Sequence, residues 1–165
     1  ARELEGVQAD VYVLAKGLAS GYPISAVLFR EELGSWPPGA HGTTFGGQAV
    51  AAAAAHATLD LLEGGLQENA ARLGEFLLAE LRALKRRFPF LGDVRGRGLM
   101  IGLDFGDPDH PQPDLRDKAV RLAFEKGLLL LPAGPSALRI APPLVLTQEE
   151  AALGLEILEE VFRAL

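Results

Sequence analysis

The sequence contains no cysteine, so disulfide bridges, thiolate metal ligands and cysteine nucleophiles are excluded. It also lacks an apolar run of the roughly 20 residues that a membrane-spanning helix needs, because His56 and Asp60 interrupt the alanine-rich segment after Ala49. The net charge is −6 and the basic residues are scattered, whereas a nucleic-acid-binding face needs clustered ones. We therefore expect neither a membrane span nor a nucleic-acid partner, and the composition suits a cytoplasmic protein.

Metal-binding patterns are also scarce. The three histidines, His41, His56 and His110, are too dispersed for a metal cage, and the aspartates that follow Leu103 lack the spacing of a calcium loop. What the sequence does hold is apolar: 48% of its residues are hydrophobic, enough to bury a core. We expect a globular protein with no metal site.

The order of the predicted elements is that of an α/β protein. Short apolar runs predict strands over 10–15, 24–29, 99–105, 128–131 and 137–141. Helical spacing predicts helices over 48–62, 66–88, 114–126 and 147–164, the third capped by Asp114 and the last by the pair Thr147 and Glu150. Gly64 and Gly65 then separate two domains, 1–64 and 65–165. Two strands do not make a stable sheet by themselves, so 1–64 is interpreted as the end of a larger domain.

Lys16 is the first candidate for chemistry. It follows a nearly continuous apolar run over 10–15, which is typical of a strand buried on both faces, and precedes a loop rich in glycine and serine. A lysine held there would lose solvation, which favours the neutral, nucleophilic amine. The alternative is a lysine that has simply reached the surface at the end of a strand.

Two other segments carry candidate binding groups. Thr43 and Thr44 lie among glycines just before a helix, where hydroxyls and backbone N–H groups can bind a phosphate. An ordinary hydroxyl cap for that helix is the alternative. Arg139 lies between Leu138 and Ile140 in a short strand, so it needs an anionic partner. A bidentate substrate carboxylate and a structural ion pair both satisfy that need.

Four segments, taken in order, resemble the class-III aminotransferases that depend on pyridoxal phosphate, the group of the 4-aminobutyrate, acetylornithine and ornithine aminotransferases. The segments are 10–24, 41–47, 94–102 and 138–144. The resemblance implies the C-terminal part of a fold-type-I transferase dependent on pyridoxal phosphate. Residues 1–64 would then be the end of the large cofactor-binding domain, and residues 65–165 the small C-terminal α/β domain.

The resemblance also implies roles for the candidate residues. Lys16 would hold pyridoxal 5'-phosphate as a Schiff base and carry the proton between the substrate Cα and the cofactor. Thr44 would bond the cofactor phosphate in the site of the other subunit of a homodimer, with Thr43 beside it. Arg139 would bind the α-carboxylate of the amino acid. The activity implied is transfer of an amino group from an ω-amine or amino acid, with 4-aminobutyrate favoured, to a 2-oxo acid.

The sequence departs from the family in length. Family members are more than twice as long, and their upstream part carries a glycine-rich phosphate turn, an aromatic that stacks on the cofactor ring and an aspartate that pairs with the ring nitrogen. None of these precedes Lys16. We therefore expect the isolated chain to lack useful transaminase activity. A non-catalytic fragment that acts in folding and subunit association is one alternative, and an aminomutase or racemase of the same fold is another.

Overall fold

A computed structural model describes residues 6–165 of the chain. The residues divide into two compact units, Ala1–Gly64 and Gly65–Leu165, and each is described separately. Both contain strands and helices, which is the α/β composition that the sequence predicts.

The unit Ala1–Gly64 contains one hairpin and one long helix. Strand β1 (Val11–Leu14) pairs antiparallel with β2 (Ala26–Phe29), with Val11 opposite Phe29 and Leu14 opposite Ala26. Two 3-10 turns follow the strands, at Lys16–Ala19 and Glu31–Leu33. Helix α1 (Ala49–Leu61) ends before the bend at Gly65, whose φ of +123° only glycine adopts readily.

The predicted burial of β1 is wrong for this chain. Val13 is 71% exposed and Val27 is 53% exposed. The reason is that α1 packs mainly against the turn after β1. Ala19 on the turn and Ala51 on the helix are each 1% exposed, so the small core of this unit lies there.

The unit Gly65–Leu165 is built on a four-stranded antiparallel sheet. Its strands are β3 (Leu91–Arg97), β4 (Met100–Phe105), β5 (Leu131–Ala133) and β6 (Ala137–Ile140), in the spatial order β3-β4-β6-β5. Ile101, Leu103 and Phe105 alternate with Gly102 and Asp104 along β4, and the first three are buried. This alternation places one face of the sheet in the core and leaves the other open.

Three helices supply the rest of that core. They are α2 (Gln67–Arg87), α3 (Pro113–Glu125) and α4 (Gln148–Arg163). Leu73, Leu77, Leu81 and Leu84 repeat along one stripe of α2 and are buried. The last turn of α2 holds Lys85, Arg86 and Arg87, where cations stabilise the carbonyl end of a helix. Phe162 of α4 packs within 5.5 Å, between ring centroids, of both Phe88 and Phe90.

Helix and strand bounds follow the predictions closely, with three corrections. Asp114 does not cap α3: the cap position is Gln112, and Pro113 begins the helix, where its missing N–H costs nothing. The strand predicted over 128–131 begins instead at Leu131, opposite Arg139, and the Leu128 N–H donates to the Ala123 carbonyl at 2.8 Å, which closes the end of α3. Strand β3 was not predicted, because glycines and a register shift between Leu91 and Asp93 break its alternation.

One prediction at a helix start is confirmed in detail. Thr147 and Glu150 form the predicted capping box at the N-terminus of α4. The Thr147 N–H donates to Glu150 Oε2 at 2.8 Å, and the Glu150 N–H donates to Thr147 Oγ1 at 3.2 Å. The bond from the Thr147 N–H, and after it the bond from the Thr147 hydroxyl to Glu150 Oε2 at 3.0 Å, lowers the pKa of the Glu150 carboxyl.

Candidate active site

Lys16 begins the 3-10 turn that follows β1, and its backbone is strained. Ala15 before it is extended, whereas Lys16 has φ +51° and Ser20, just after the turn, has φ +48°. Among the described residues other than glycine, these two alone have positive φ. The left-handed conformation costs such residues about 1–2 kcal/mol each, and strain of this kind concentrates at functional sites.

The Lys16 side chain is exposed in this chain. The loss of solvation that the sequence predicted therefore does not occur here, because the hairpin that leads to Lys16 is itself largely uncovered. The geometry that distinguishes Lys16 is its left-handed backbone conformation directly after the strand.

Thr43 and Thr44 lie in the glycine-rich loop before α1, and neither caps that helix. Gln48 occupies the cap position, with its Oε1 accepting a hydrogen bond from the Ala51 N–H at 3.1 Å. The interpretation of the hydroxyls as an ordinary helix cap is therefore wrong. The hydroxyls are left available for a ligand, and the loop around them is exposed.

A polar depression lies beside this loop, within the same unit. The Thr43 side chain lines it together with Ser25, which the sequence analysis did not single out. The rest of its lining comes from the segment before β2 and from the loop and start of α1: Pro23, Ile24, Phe45, Gly46, Gly47, Gln48 and Ala51. Thr44 is adjacent in the chain but does not line it. Hydroxyls beside a glycine-rich turn are the donor set that a phosphate requires.

Arg139 lies on the open face of the sheet in the other unit. It is opposite Gly102 of β4 on one side and Leu131 of β5 on the other. The side chain is exposed, so the predicted burial between Leu138 and Ile140 is wrong: those neighbours face the core and Arg139 faces away from it. In the part of the chain that the structure describes, no hydrogen bond or ion pair involves the Arg139 guanidinium.

Arg95 on the same face differs from Arg139 in this respect. Its guanidinium contacts Asp104, with Nη2 to Oδ1 at 3.1 Å, and also Asp93, with Nη1 to Oδ2 at 3.1 Å. Hydrogen bonding to Asp104 and then Asp93 raises the pKa of Arg95. Arg95 thus has two anionic partners within the sheet, whereas Arg139 has none among the described residues.

The candidate residues are therefore distributed over both units. Lys16, Thr43 and Thr44 belong to Ala1–Gly64, and Arg139 belongs to Gly65–Leu165. Within residues 6–165, no group of three or more histidine, aspartate or glutamate side chains is arranged to hold a metal ion. No helix in that range is both long and apolar enough to cross a bilayer.

Comparison with known proteins identifies the family. The model of the aminotransferase class-III family matches residues 1–162. The chain belongs to the class-III aminotransferases. This result confirms the predicted family, and with it the enzyme class and the pyridoxal phosphate cofactor on which class-III aminotransferases depend.

Individual known proteins are also similar to this chain. The chain is 40% identical to an alanine/serine racemase of Pyrococcus horikoshii, over 99% of this chain and 35% of that protein. It is 43% identical to an acetylornithine aminotransferase of Gloeobacter violaceus, over 97% of this chain and 39% of that one. The solved acetylornithine aminotransferase of Elizabethkingia anophelis matches with a TM-score of 0.88 and 34% identity, over 99% of this chain and 43% of that chain.

These matches confirm the predicted aminotransferase fold. They also show that the chain spans about two-fifths of the length of the relatives it matches. The activity, substrates and assembly of a whole class-III protein are for that reason taken up as proposals.

Proposed function

We propose that this chain is the C-terminal part of a pyridoxal-phosphate-dependent aminotransferase, with Lys16 as the residue that binds the cofactor covalently. Residues 1–64 would complete the large domain and residues 65–165 would form the small domain. The observation that carries the proposal is the strained backbone at Lys16, directly after a strand and inside a class-III match that covers 1–162.

The chain's own residues fit part of the cofactor. The Lys16 amine is accessible for a covalent bond to the aldehyde, and the hydroxyls of Thr44 and Thr43 would donate to the phosphate. Bound pyridoxal phosphate supplies the electron sink for the bond that is broken at the substrate Cα. The Lys16 amine would also be the base that holds and moves the proton of the substrate Cα. Arg139 would hold the α-carboxylate bidentately and so orient that Cα.

Because the chain's residues fit only part of the cofactor, we expect the isolated chain to lack useful transaminase activity. The family resemblance places the ring-nitrogen aspartate, the stacking aromatic and the glycine-rich phosphate turn upstream of Lys16, and this chain spans only about two-fifths of its relatives' length. Without that aspartate the ring nitrogen is not kept protonated, and the electron sink weakens. A chain limited to folding and subunit association is therefore the alternative for the isolated polypeptide.

One spectroscopic experiment distinguishes a catalytically active chain from a fragment that acts only in folding and subunit association. The chain and its Lys16→Ala variant are mixed with pyridoxal phosphate and their visible spectra are followed, with turnover measured in parallel. We expect a cofactor band that depends on Lys16, without turnover. A stable band accompanied by measurable transamination would remove the fragment interpretation, and a band that persists in Lys16→Ala would remove the role of Lys16.

The substrate proposal concerns a full-length protein that contains this chain. The sequence resemblance favours 4-aminobutyrate as donor, while two of the relatives described above are acetylornithine aminotransferases. A donor panel of 4-aminobutyrate, acetylornithine and ornithine, each with 2-oxoglutarate, decides among them. If 4-aminobutyrate supports no turnover while either other donor does, the 4-aminobutyrate preference is wrong.

A racemase is the second candidate function, and the 40% identity to an alanine/serine racemase favours it. Both reactions use the same lysine, but a transaminase moves the amino group to a second molecule. An amino donor labelled with ¹⁵N distinguishes them. Label in the acceptor product supports transamination, whereas label retained in a donor of inverted configuration supports racemisation.

We also propose that the whole protein is a cytoplasmic homodimer in which Thr44 reaches the site of the partner subunit. The exposure of the loop supports this, since Phe45 beside Thr44 is 82% exposed. Mixing inactive Lys16→Ala and Thr44→Ala full-length subunits should restore activity in the hybrid dimer, where one site is intact. No restoration, despite hybrid formation, would place Thr44 in its own subunit's site.

A further inference from the structure

The turn that carries Lys16 is held at its far end by a side-chain hydrogen bond to α1. Ser20 Oγ and Thr58 Oγ1 are 3.0 Å apart, although 38 positions separate the two residues in the chain. Thr58 Oγ1 lies 2.8 Å from the Ala54 carbonyl oxygen, to which it donates its single proton. The Ser20 hydroxyl must then be the donor to Thr58, which fixes the direction of this hydrogen-bond relay.

Ser20 is also the second strained residue of the segment. Its φ of +48° is close to the +51° of Lys16. Lys16 is the first residue of the 3-10 turn and Ser20 directly follows the last one. Backbone hydrogen bonds between residues three apart in the chain close the turn. The Leu18 N–H donates to the Ala15 carbonyl and the Tyr22 N–H to the Ala19 carbonyl, both at 3.1 Å. A serine keeps a left-handed conformation when surrounding contacts determine it, and the bond to Thr58 is such a contact.

The turn is anchored to α1 by packing as well. Ala19 is 1% exposed, and Ala51 and Ala55 on α1 are buried. These alanines fix the distance of the turn from the helix, but small apolar contacts do not select its backbone conformation. The relay from Ser20 through Thr58 to Ala54 supplies the directional restraint.

We propose that Ser20 and Thr58 are positioning residues for Lys16, which hold its turn in the conformation that presents the amine to the cofactor. The inference rests on the proposed function of Lys16. Neither residue touches the cofactor in this scheme. Both act through the backbone, and this distinguishes them from Thr43 and Thr44.

Four substitutions separate the backbone effect from the loss of a hydroxyl. Ser20→Ala removes the donor and leaves a side chain that disfavours positive φ. Ser20→Gly removes the same donor, but glycine adopts positive φ freely, so the turn should keep its conformation. Thr58→Val removes the acceptor hydroxyl with little change of side-chain shape. Thr58→Ser keeps that hydroxyl and serves as the matched control.

The measurement is the yield of pyridoxyl-Lys16 after brief incubation of the chain with pyridoxal phosphate and borohydride, read by peptide mass spectrometry. Condensation of the amine with the aldehyde releases water, and borohydride supplies the hydride that reduces the C=N bond. Lys85 on α2 serves as the internal reference. We expect Ser20→Ala and Thr58→Val to lower the ratio of Lys16 to Lys85 labelling about fivefold, the usual worth of one such hydrogen bond. Ser20→Gly and Thr58→Ser should stay within about twofold of wild type.

Hydrogen exchange gives a readout that does not involve the cofactor. The Leu18 and Tyr22 amides should exchange several-fold faster in Thr58→Val than in wild type, while circular dichroism confirms that the helices remain folded. Labelling and exchange unchanged in both Ser20→Ala and Thr58→Val would overturn the positioning role alone. Absence of preferential Lys16 labelling in the wild-type chain would instead overturn the proposed function of Lys16, and the positioning role with it.

Discussion

Gly154 lies in the middle of α4, where alanine should be the better residue. A Cβ added there would meet one atom, Leu128 Cδ1, at 3.9 Å, which is an ordinary van der Waals distance. Gly154 and Leu128 also line an apolar pocket between α4 and the segments packed on it. The new methyl group would therefore fill space that is empty in the wild-type chain.

The expected gain has two parts. Replacing glycine by alanine in a helix interior is worth about 0.5–1 kcal/mol. Burying one methyl group adds up to about 0.8 kcal/mol. Gly154→Ala should thus raise the free energy of unfolding by about 0.5–1.8 kcal/mol, which corresponds to an increase in Tm of at least about 2 °C for a unit of this size. Thermal and urea unfolding followed by far-ultraviolet circular dichroism measure both quantities.

Gly74 provides the matched control, because it is also a glycine inside a helix. A Cβ there would overlap the backbone of Gly98, at the turn between β3 and β4. Backbone cannot move aside cheaply, so Gly74→Ala should destabilise by about 1–3 kcal/mol despite its better helix propensity. Equal effects of the two substitutions would show that helix propensity dominates and that the packing argument is wrong.

Three further substitutions test other parts of the structure. Phe162→Ala removes a side chain that is 2% exposed and contacts Phe88 and Phe90, so chemical denaturation should show a loss of about 3–5 kcal/mol. Gln48→Ala removes the cap of α1, and amides in its first turn should exchange faster by a factor that corresponds to about 1 kcal/mol. Glu150→Ala should lower Tm at neutral pH but not in acid. The lowered pKa of this carboxyl means that its stabilisation is complete above the ordinary glutamate value of about 4.3 and is lost as the pH falls through the folded value, so a Tm difference that persists in acid would contradict this origin.

Local sequence patterns were sufficient to predict those structural features that neighbouring residues form among themselves. The capping box of α4 needs only Thr147 and Glu150 three positions later. The leucines of α2 repeat at helical spacing, and the bend at Gly64 and Gly65 follows from glycine alone. Each of these features depends on residues within one or two turns of one another.

Features that depend on distant residues were not predictable in the same way. The start of β5 is defined by its pairing with β6, and β3 is recognisable as a strand only through its pairing with β4. The exposure of Lys16 and Arg139 depends on what covers the hairpin and the open face of the sheet. The link between Ser20 and Thr58 joins two hydroxyls 38 positions apart, and no periodicity relates them.

The β1–β2 hairpin has a practical consequence for the polypeptide. Val13, Val27 and Leu28 are more than half exposed, and in the described part of the chain each strand pairs on one side only. Bare strand edges with apolar side chains recruit further strands from other molecules. The solubility limit of the purified polypeptide will therefore be set by self-association through this hairpin, and charged substitutions at Val13 or Val27 should raise the concentration at which it precipitates.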